Sequence, residues 1–533
     1  MESKIRLFPI IVTIILSILC LILGIVSWWF LLPLLVLLPI LALGWWDLRQ
    51  EKHSILHNYP ILGHFRYLIE AFGPPLRQYV VENNKEGAPF NRDLRSLVYQ
   101  RAKNIEAKKP FGTELDVYAP GYIWVNHSMV PAKVNHDLPR VTIGGDQCSQ
   151  PFSASLLNIS AMSFGSLSAN AIMALNKGAA LGNFYHTTGE GGISPYHRKF
   201  SGDLTWQIGS GYFGCRQADG SFCPDQFATQ ANIDQVKMIE IKLSQGAKPG
   251  HGGILPSVKI TPEIATTRGI PMGQDCVSPS SHSSFSTPIE LLNFIAKLRE
   301  LAGGKPVGFK LCLGHPWEFL AICKAMLKTG IYPDFIVVDG GEGGTGAAPL
   351  EFSDHVGFPL VEGLSFVHNA LVGVGLRDKI KIGASGKVAS ASRIAASLAL
   401  GADWVNSARS FMFCLGCIQA QDCHTNHCPV GVATSDPELQ RALNVDDKGE
   451  RVANYHKNNL KMLNEITAAA GLDHPSAMLP RHLYIRHEGG SIKTFAELHH
   501  GLVHEELINN SDNPIFIRYW RMAQADTFSA KMG

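Results

Sequence analysis

The distribution of apolar and polar positions divides the chain into unlike stretches. From Leu7 to Trp46 no residue is charged. A spanning helix needs about 20 apolar residues, so this run predicts two short membrane spans, with Gly24, Ser27 and Pro33 marking a turn between them. The pairs Trp28–Trp29 and Trp45–Trp46 suit the membrane–water interface. Lys4 and Arg6 precede the run, and Arg49 and Lys52 follow it. Positive charge on both flanks predicts a hairpin whose ends both lie on the cytoplasmic side. A cleaved signal peptide and a single tilted span are the competing readings.

From Phe152 onward short apolar runs end in glycine or polar clusters and lead into helical stretches. The first, "LLNISAMSFGSLS", precedes a helix predicted over Ala169–Ala180. "NFYHTTGEGG", "QIGSGYFGC", "MIEIKLSQGAKPG", "VGFKLC", "FIVVDGGEGGTGAAP", "IKIGASGKVAS" and "ADWVNSARS" complete the series. Strands alternating with helices imply a parallel sheet, and about eight such units predict a closed (β/α)8 TIM-type barrel. An open doubly wound sheet is the alternative. The organisation expected is a membrane anchor over 1–50, a cap over 51–150, the barrel over 151–430 and a helical extension over 431–533. Helices are predicted in the cap around Pro60–Phe72 and Leu94–Lys108, and in the extension at "NYHKNNLKMLNEITAAAGL".

Charge and cysteine content narrow the chemistry. A net charge of +2 over 533 residues predicts no nucleic-acid surface. Eleven cysteines at irregular spacing do not form a disulfide framework. Cys417, Cys423 and Cys428, with Pro429 after the last, occupy a segment at 414–430. Thiolates so close in sequence bind iron–sulfur clusters or zinc. Zinc would take a fourth ligand from Cys414, His424 or His427.

The polar residues that follow the apolar runs would gather at the C-terminal face of a barrel, where active sites lie. "GASGK" (Gly383–Lys387) and "NSARS" (Asn406–Ser410) fall where barrels often bind phosphate, with Arg409 able to add charge. "DGGEGGTGAAP" has five glycines in eleven residues, which lets backbone approach a flat or anionic ligand. It does not match the nucleotide loop of ATPases. Glu190 lies between glycines in "TGEGG". Gln245, Lys248 and His251 share a loop after a strand. Lys310, flanked by apolar residues in "VGFKLC", suits the anionic edge of a reduced flavin or an anionic substrate.

"GCIQAQDCHTNHCPVGVATSDPEL" (Gly416 to Leu439) resembles the cluster-binding segment of glutamate synthase. "GEGG", "IEIKLSQGAKPGHGG", "DGGEGGTGAAP" and "GADWVNSAR" resemble the same family, in the same order, over roughly Asn158 to Leu439. The resemblance implies an FMN-binding barrel and Cys417, Cys423 and Cys428 as ligands of a three-iron, four-sulfur cluster. Cys414 leaves a four-iron cluster conceivable. It further implies FMN contacts at Met162, Ser163 and Lys310, at Gly343, Gly344, Thr345 and Gly346, at Gly383, Ser385 and Gly386, and at Ser407 and Arg409. Glu190, Lys248 and Arg268 would meet 2-oxoglutarate. His251, Ile254 and Tyr212 depart from the family pattern at positions near that substrate. No amidotransferase or NADPH-binding segment is recognised, so ammonia and electrons are expected from outside. The electron donor would be a ferredoxin-like protein, a reductase subunit or a membrane donor.

The activity expected is reduction of 2-iminoglutarate, formed from 2-oxoglutarate and ammonia, at the cytoplasmic face of the inner membrane. Electron exchange with a quinone or membrane partner, and an inactive anchored scaffold, are the alternatives.

Overall fold

The structure, a computed structural model, describes residues 6–499, 501–509 and 511–531; Lys4 lies outside them. The chain forms two compact units, Met1–Asp93 and Leu94–Gly533.

In the first unit, helices Phe8–Gly24 and Leu34–Arg49 flank a short turn of helix at Trp28–Leu31. The break falls where Gly24, Ser27 and Pro33 predicted it. A methyl group at Gly24 would lie 2.2 Å from Leu31, so the turn is tight only because that side chain is absent. The apolar stretch Trp28–Arg49 is long enough to cross a membrane, whereas Phe8–Gly24 has 17 residues. Gly44 brings the two helices together against Ile10. Asp47 is fully buried and accepts hydrogen bonds from Ile61 N and His64 Nε2, each at 2.9 Å. It thereby fastens the start of helix Leu62–Leu76 to the end of the second apolar helix.

In the second unit, among the described residues, eight parallel strands close into a barrel. They are β1 (Leu157–Ile159), β2 (His186–Thr187), β3 (Leu204–Ile208), β4 (Val236–Lys242), β5 (Val307–Leu311), β6 (Phe335–Asp339), β7 (Lys381–Ser385) and β8 (Trp404–Ser407). β8 pairs with β1 through Val405 opposite Leu157 and Ser407 opposite Ile159, which closes the ring. Each of the eight runs picked out by sequence contributes one strand. Their continuous rather than alternating apolar character reflects burial on both faces. The open doubly wound alternative is excluded by this closure.

The predicted helix at 169–180 spans Ala169–Gly182, capped by the Ser168 hydroxyl accepting from Ala171 N and stopped at Asn183 in the left-handed region. The helical run of the extension is Val445–Ala469, and it packs along Ala169–Gly182. The extension is not wholly helical, however. Leu483–Arg486 and Ile492–Thr494 form a three-stranded antiparallel sheet with Ile123–Val125. Strands of three or four residues are too short to show a period in the sequence. The helix predicted over 94–108 spans Arg92–Ala102.

One connection positions most of the site. Between β4 and helix Pro288–Leu301 the chain makes an excursion with a two-strand hairpin (Ile254–Leu255 with Cys276–Val277), a 3₁₀ turn at Ser257–Lys259 and helix Pro262–Arg268. Thr261 caps that helix, Pro262 opens it, and Gly269 at φ 65° ends it.

The contact between Ala169–Gly182 and Val445–Ala469 depends on Gly178, where a methyl group would lie 2.2 Å from Val452 Cγ1 and 2.8 Å from the Gly449 carbonyl. Gly178→Ala is therefore expected to destabilise the protein by about 1–3 kcal/mol through overpacking. A urea-unfolding midpoint equal to that of the native chain would refute this close approach.

Candidate active site

The loops leaving the C-terminal ends of the strands surround a cleft of about 980 Å³, counted out to its open mouth. Met162 and Ser163 after β1, Glu190 after β2, and Gly344, Thr345 and Gly346 after β6 line it, with Arg409 after β8. The excursion after β4 adds Lys248, Ile254, Lys259 and Arg268. Gly189, at φ 71°, is required here: a methyl group on it would lie 2.6 Å from Ser163 N. The β1 and β2 loops can meet only without that methyl group.

Positive charge dominates the cleft. Glu190 Oε1 accepts from Lys242 Nζ at 2.8 Å. Burial alone would raise the Glu190 carboxyl, but Lys242, Arg268 and Lys248 outweigh it and hold the group below the ordinary carboxylate range. Lys248 is 3% exposed. Burial, reinforced by the neighbouring Lys242 cation, pushes its pKa down, with Glu190 opposing. The Arg268 guanidinium donates to Ser163 Oγ at 3.1 Å and to the Phe164 carbonyl at 3.2 Å, and lies 5.4 Å over the Phe213 ring. Lys259 is 2% exposed and donates to the carbonyls of Ser166, Cys423 and Ala433 at 2.9, 3.2 and 3.1 Å. Burial lowers it to about 8, with Cys423 and Cys428 pulling the other way.

Several residues expected at the site lie behind the cleft wall. Lys310 Nζ lies 3.6 Å from Asp339 Oδ2, which also accepts from Gly246 N at 3.0 Å. Its charge therefore faces a carboxylate within the barrel. Below the cleft, Glu240 accepts from Gln207 Nε2 at 2.5 Å and is raised by burial, with Lys310 opposing. A methyl group on Gly383 would lie 2.6 Å from the Trp404 ring, so this glycine makes room for packing. The Ser385 carbonyl accepts from Gly340 N at 2.8 Å, and Gly386 sits against Gly340. Ser407 Oγ donates to the Val388 carbonyl at 2.6 Å. Gly343 N is bonded back to the Gly340 carbonyl at 2.8 Å.

Of the three departures from the family pattern, only Ile254 stands on the cleft wall. Tyr212 is fully buried, and its hydroxyl lies 3.1 Å from His282 Nδ1 and accepts from Ser284 N at 3.2 Å. Its φ of 48° turns it away into an aromatic cluster with Phe222 and Phe294. His251 packs edge-on against Phe352. These two substitutions do not alter the cleft surface. Lys242, Gln207 and Lys259 are cleft residues that sequence reasoning did not single out. Lys242 had a signal, a charge closing the apolar run "MIEI". Lys259 in "SVKIT" had none.

Of the thiols, Cys423 reaches the cleft, while Cys417 and Cys428 are buried behind it. Arg409 Nη1 lies 3.6 Å from Cys423 Sγ, and its Nη2 donates to the Thr345 carbonyl. It thus joins the glycine-rich loop to the thiol segment. Burial raises Cys417 to about 11, with Arg409 opposing and Cys423 and Cys428 adding to the rise. Cys414 Sγ instead donates to the Ser410 carbonyl at 3.2 Å, beside the buried Tyr455. That placement speaks against Cys414 as a fourth ligand. Among the described residues, no three of His, Cys, Asp and Glu converge closely enough for a single metal ion, as tetrahedral zinc would require.

Because its pKa is lowered, Lys248 discharges at a lower pH than an ordinary lysine. A dicarboxylate such as glutarate is expected to bind progressively more weakly as pH rises through that point, and Lys248→Met should remove this alkaline limb. Calorimetric titration across pH is the check; an affinity that declines only where an ordinary lysine would discharge contradicts the assignment.

Residues 133–473 match the family described as the conserved region in glutamate synthase. The chain is 40% identical to the glutamate synthase large subunit-like protein YerD of Bacillus subtilis, over 92% of this chain and 99% of that protein. It is 36% identical to the archaeal-type glutamate synthase [NADPH] of Thermotoga neapolitana and 35% identical to the archaeal glutamate synthase [NADPH] of Methanocaldococcus jannaschii. In both cases the match covers 59% of this chain and 59% of the relative. Among solved structures, mandelate oxidase with (S)-2-phenylpropionate matches at a TM-score of 0.41 and 14% identity, over 77% of this chain and 99% of that one. A mutant flavocytochrome b2 with pyruvate bound matches at 0.39 and 13%, over 79% and 85%. On the extent of the family match and the near full-length likeness to the Bacillus protein, the chain belongs to the glutamate synthase family, oxidoreductases that act on CH–NH2 donors.

Proposed function

We propose that this protein is a membrane-anchored, FMN- and iron–sulfur-dependent oxidoreductase. It would reduce 2-iminoglutarate, formed from 2-oxoglutarate and ammonia, to glutamate with electrons from an external donor. The observation that supports this most is the convergence of Lys242, Lys248 and Arg268 around Glu190 in a cleft that Cys423 also reaches. Arginine and lysine in such a setting clamp carboxylates through charge-assisted hydrogen bonds.

FMN would be held by Met162, Ser163, Gly344, Thr345, Gly346 and Arg409, which line the cleft, with Gly343, Gly383–Gly386, Ser407 and Lys310 supporting them from behind its wall. The Gly346 backbone borders open space in the cleft, where a methyl group would meet nothing within 4 Å. Cys417, Cys423 and Cys428 would hold the iron–sulfur cluster, most simply a three-iron one, with Arg409 and Lys259 as nearby cations. Bound FMN would supply the two-electron reduction and the cluster would relay single electrons.

The chain's own residues prepare the substrate. Lys248 and Arg268 orient its two carboxylates. Glu190 remains ionised, so with Lys242 on Oε1 its Oε2 accepts an N–H of the substrate nitrogen. Lys248, with its lowered pKa, gives up a proton from Nζ more readily than an ordinary lysine. The apolar helices of the first unit would fix the catalytic domain at the cytoplasmic face of the inner membrane. Electrons would come from a ferredoxin-like protein, a reductase subunit or a membrane donor.

A second reading is favoured by Ile254 on the cleft wall and by the apolar helices: exchange of electrons with a quinone. Anaerobic reoxidation of the reduced protein separates the two. Glutamate produced from 2-oxoglutarate and ammonium supports the first, and reaction with quinone alone supports the second. Under the first reading, Arg268→Met is expected to lower kcat/KM for 2-oxoglutarate by about two orders of magnitude, the scale of losing one partner of a buried charge pair. Anchoring is tested by fractionation. The full chain should stay with carbonate-washed membranes, and removal of residues 1–50 should release it; full-length protein in the soluble fraction contradicts the anchor.

A further inference from the structure

Lys259 has an arrangement that substrate binding does not explain. Its Nζ donates to three carbonyls from three separate parts of the chain: Ser166 in the loop after β1, Cys423 in the thiol segment, and Ala433 beyond it. Among the described residues no carboxylate forms an ion pair with it, and one of its three carbonyl partners belongs to Cys423 itself. A buried cation with only neutral acceptors carries an unbalanced desolvation cost. An anionic group held on the thiol segment would balance it.

The position of Lys259 is set by the same excursion that supplies Arg268. The 3₁₀ turn Ser257–Lys259 directs the ammonium toward the thiols, and the capped helix Pro262–Arg268 carries the guanidinium to Ser163. Ser163 Oγ and Ser166 Oγ lie 2.7 Å apart, and the Ser166 carbonyl returns to Lys259. A continuous path of hydrogen bonds therefore runs from the Arg268 clamp through the β1 loop to the backbone of Cys423.

We propose that Lys259 is a positioning residue for the redox group on the thiol segment: it fixes that segment to the cleft wall and, as a fixed positive charge, favours the more reduced state of the group bound there. This rests on the iron–sulfur part of the proposed function. The charge half and the tether half have separate readouts.

The test uses the full-length protein, prepared without oxygen, as native, Lys259→Met and Lys259→Arg forms. Iron content, the midpoint potential of the iron–sulfur signal and amide hydrogen exchange over residues 418–434 are measured, with flavin content and circular dichroism to establish folding. In Lys259→Met, faster exchange over 418–434 is expected. It should be accompanied either by loss of iron or by a reduced-to-oxidised ratio lower by on the order of tenfold at fixed poise, 59 mV for a one-electron couple. Lys259→Arg should restore iron and potential toward the native values. A folded Lys259→Met with native iron, potential and exchange overturns the proposal. If the native protein holds no iron, the cluster assignment fails and the charge half falls with it. The tether half is then decided by exchange alone: faster exchange sustains it, and unchanged exchange overturns it. Should Lys259→Met fail to fold, Lys259→Arg decides: near-native potential and exchange support a charged tether, and disrupted exchange with native iron and potential overturns it.

Discussion

Burying positive charge next to a cleft is the constraint around which the rest of the site is built. Lys248, Lys259 and Arg268 are each at most 5% exposed, and Lys242 shares Glu190 with two of them. One carboxylate does not neutralise that set. Lys259 is held by backbone carbonyls, and Arg268 by a hydroxyl, a carbonyl and an aromatic face. Such a pocket is complete only with anions in it. Under the proposed function, substrate carboxylates would serve this need on one side of the cleft and thiolate-bound sulfide on the other.

The barrel makes this placement reproducible. Strand ends in a closed ring are spaced by hydrogen-bond register, so loops after β1, β2, β4, β6 and β8 arrive at one rim without long-range adjustment. Charges inside the ring are treated differently from those at the rim. Lys310 is matched by Asp339, and Glu240 by Gln207. The rim cations are left under-compensated, and it is there that a ligand is expected.

The ring itself was legible in the sequence because its strands are unbroken apolar runs closed by glycine, as "FIVVDGG" is. Glu190 and Lys248 were legible from their glycine-flanked loops, but Arg268 only through family likeness, since it lies 20 residues beyond Lys248 with no pattern to connect them. Lys259 left no trace: its role depends on carbonyls, which every residue has. Tyr212 shows the converse error. The family resemblance put it near the substrate, but its backbone is in the left-handed region and its side chain is buried in the core. The sheet made by Ile123–Val125, Leu483–Arg486 and Ile492–Thr494 joins segments over 350 residues apart in sequence, and no local signal records such pairing.

The helix Pro262–Arg268 is only seven residues long, yet it separates the two cationic ends of the excursion. Each residue of an α-helix advances about 100° around its axis. An insertion or deletion of one residue between Thr261 and Arg268 would swing the guanidinium off Ser163 while leaving Lys259 in place. That stretch therefore acts as a ruler and a phase-setter at once. Its exposed side chains are free to diversify during descent, but its length and its buried Ile264, Ala265 and Arg268 are not.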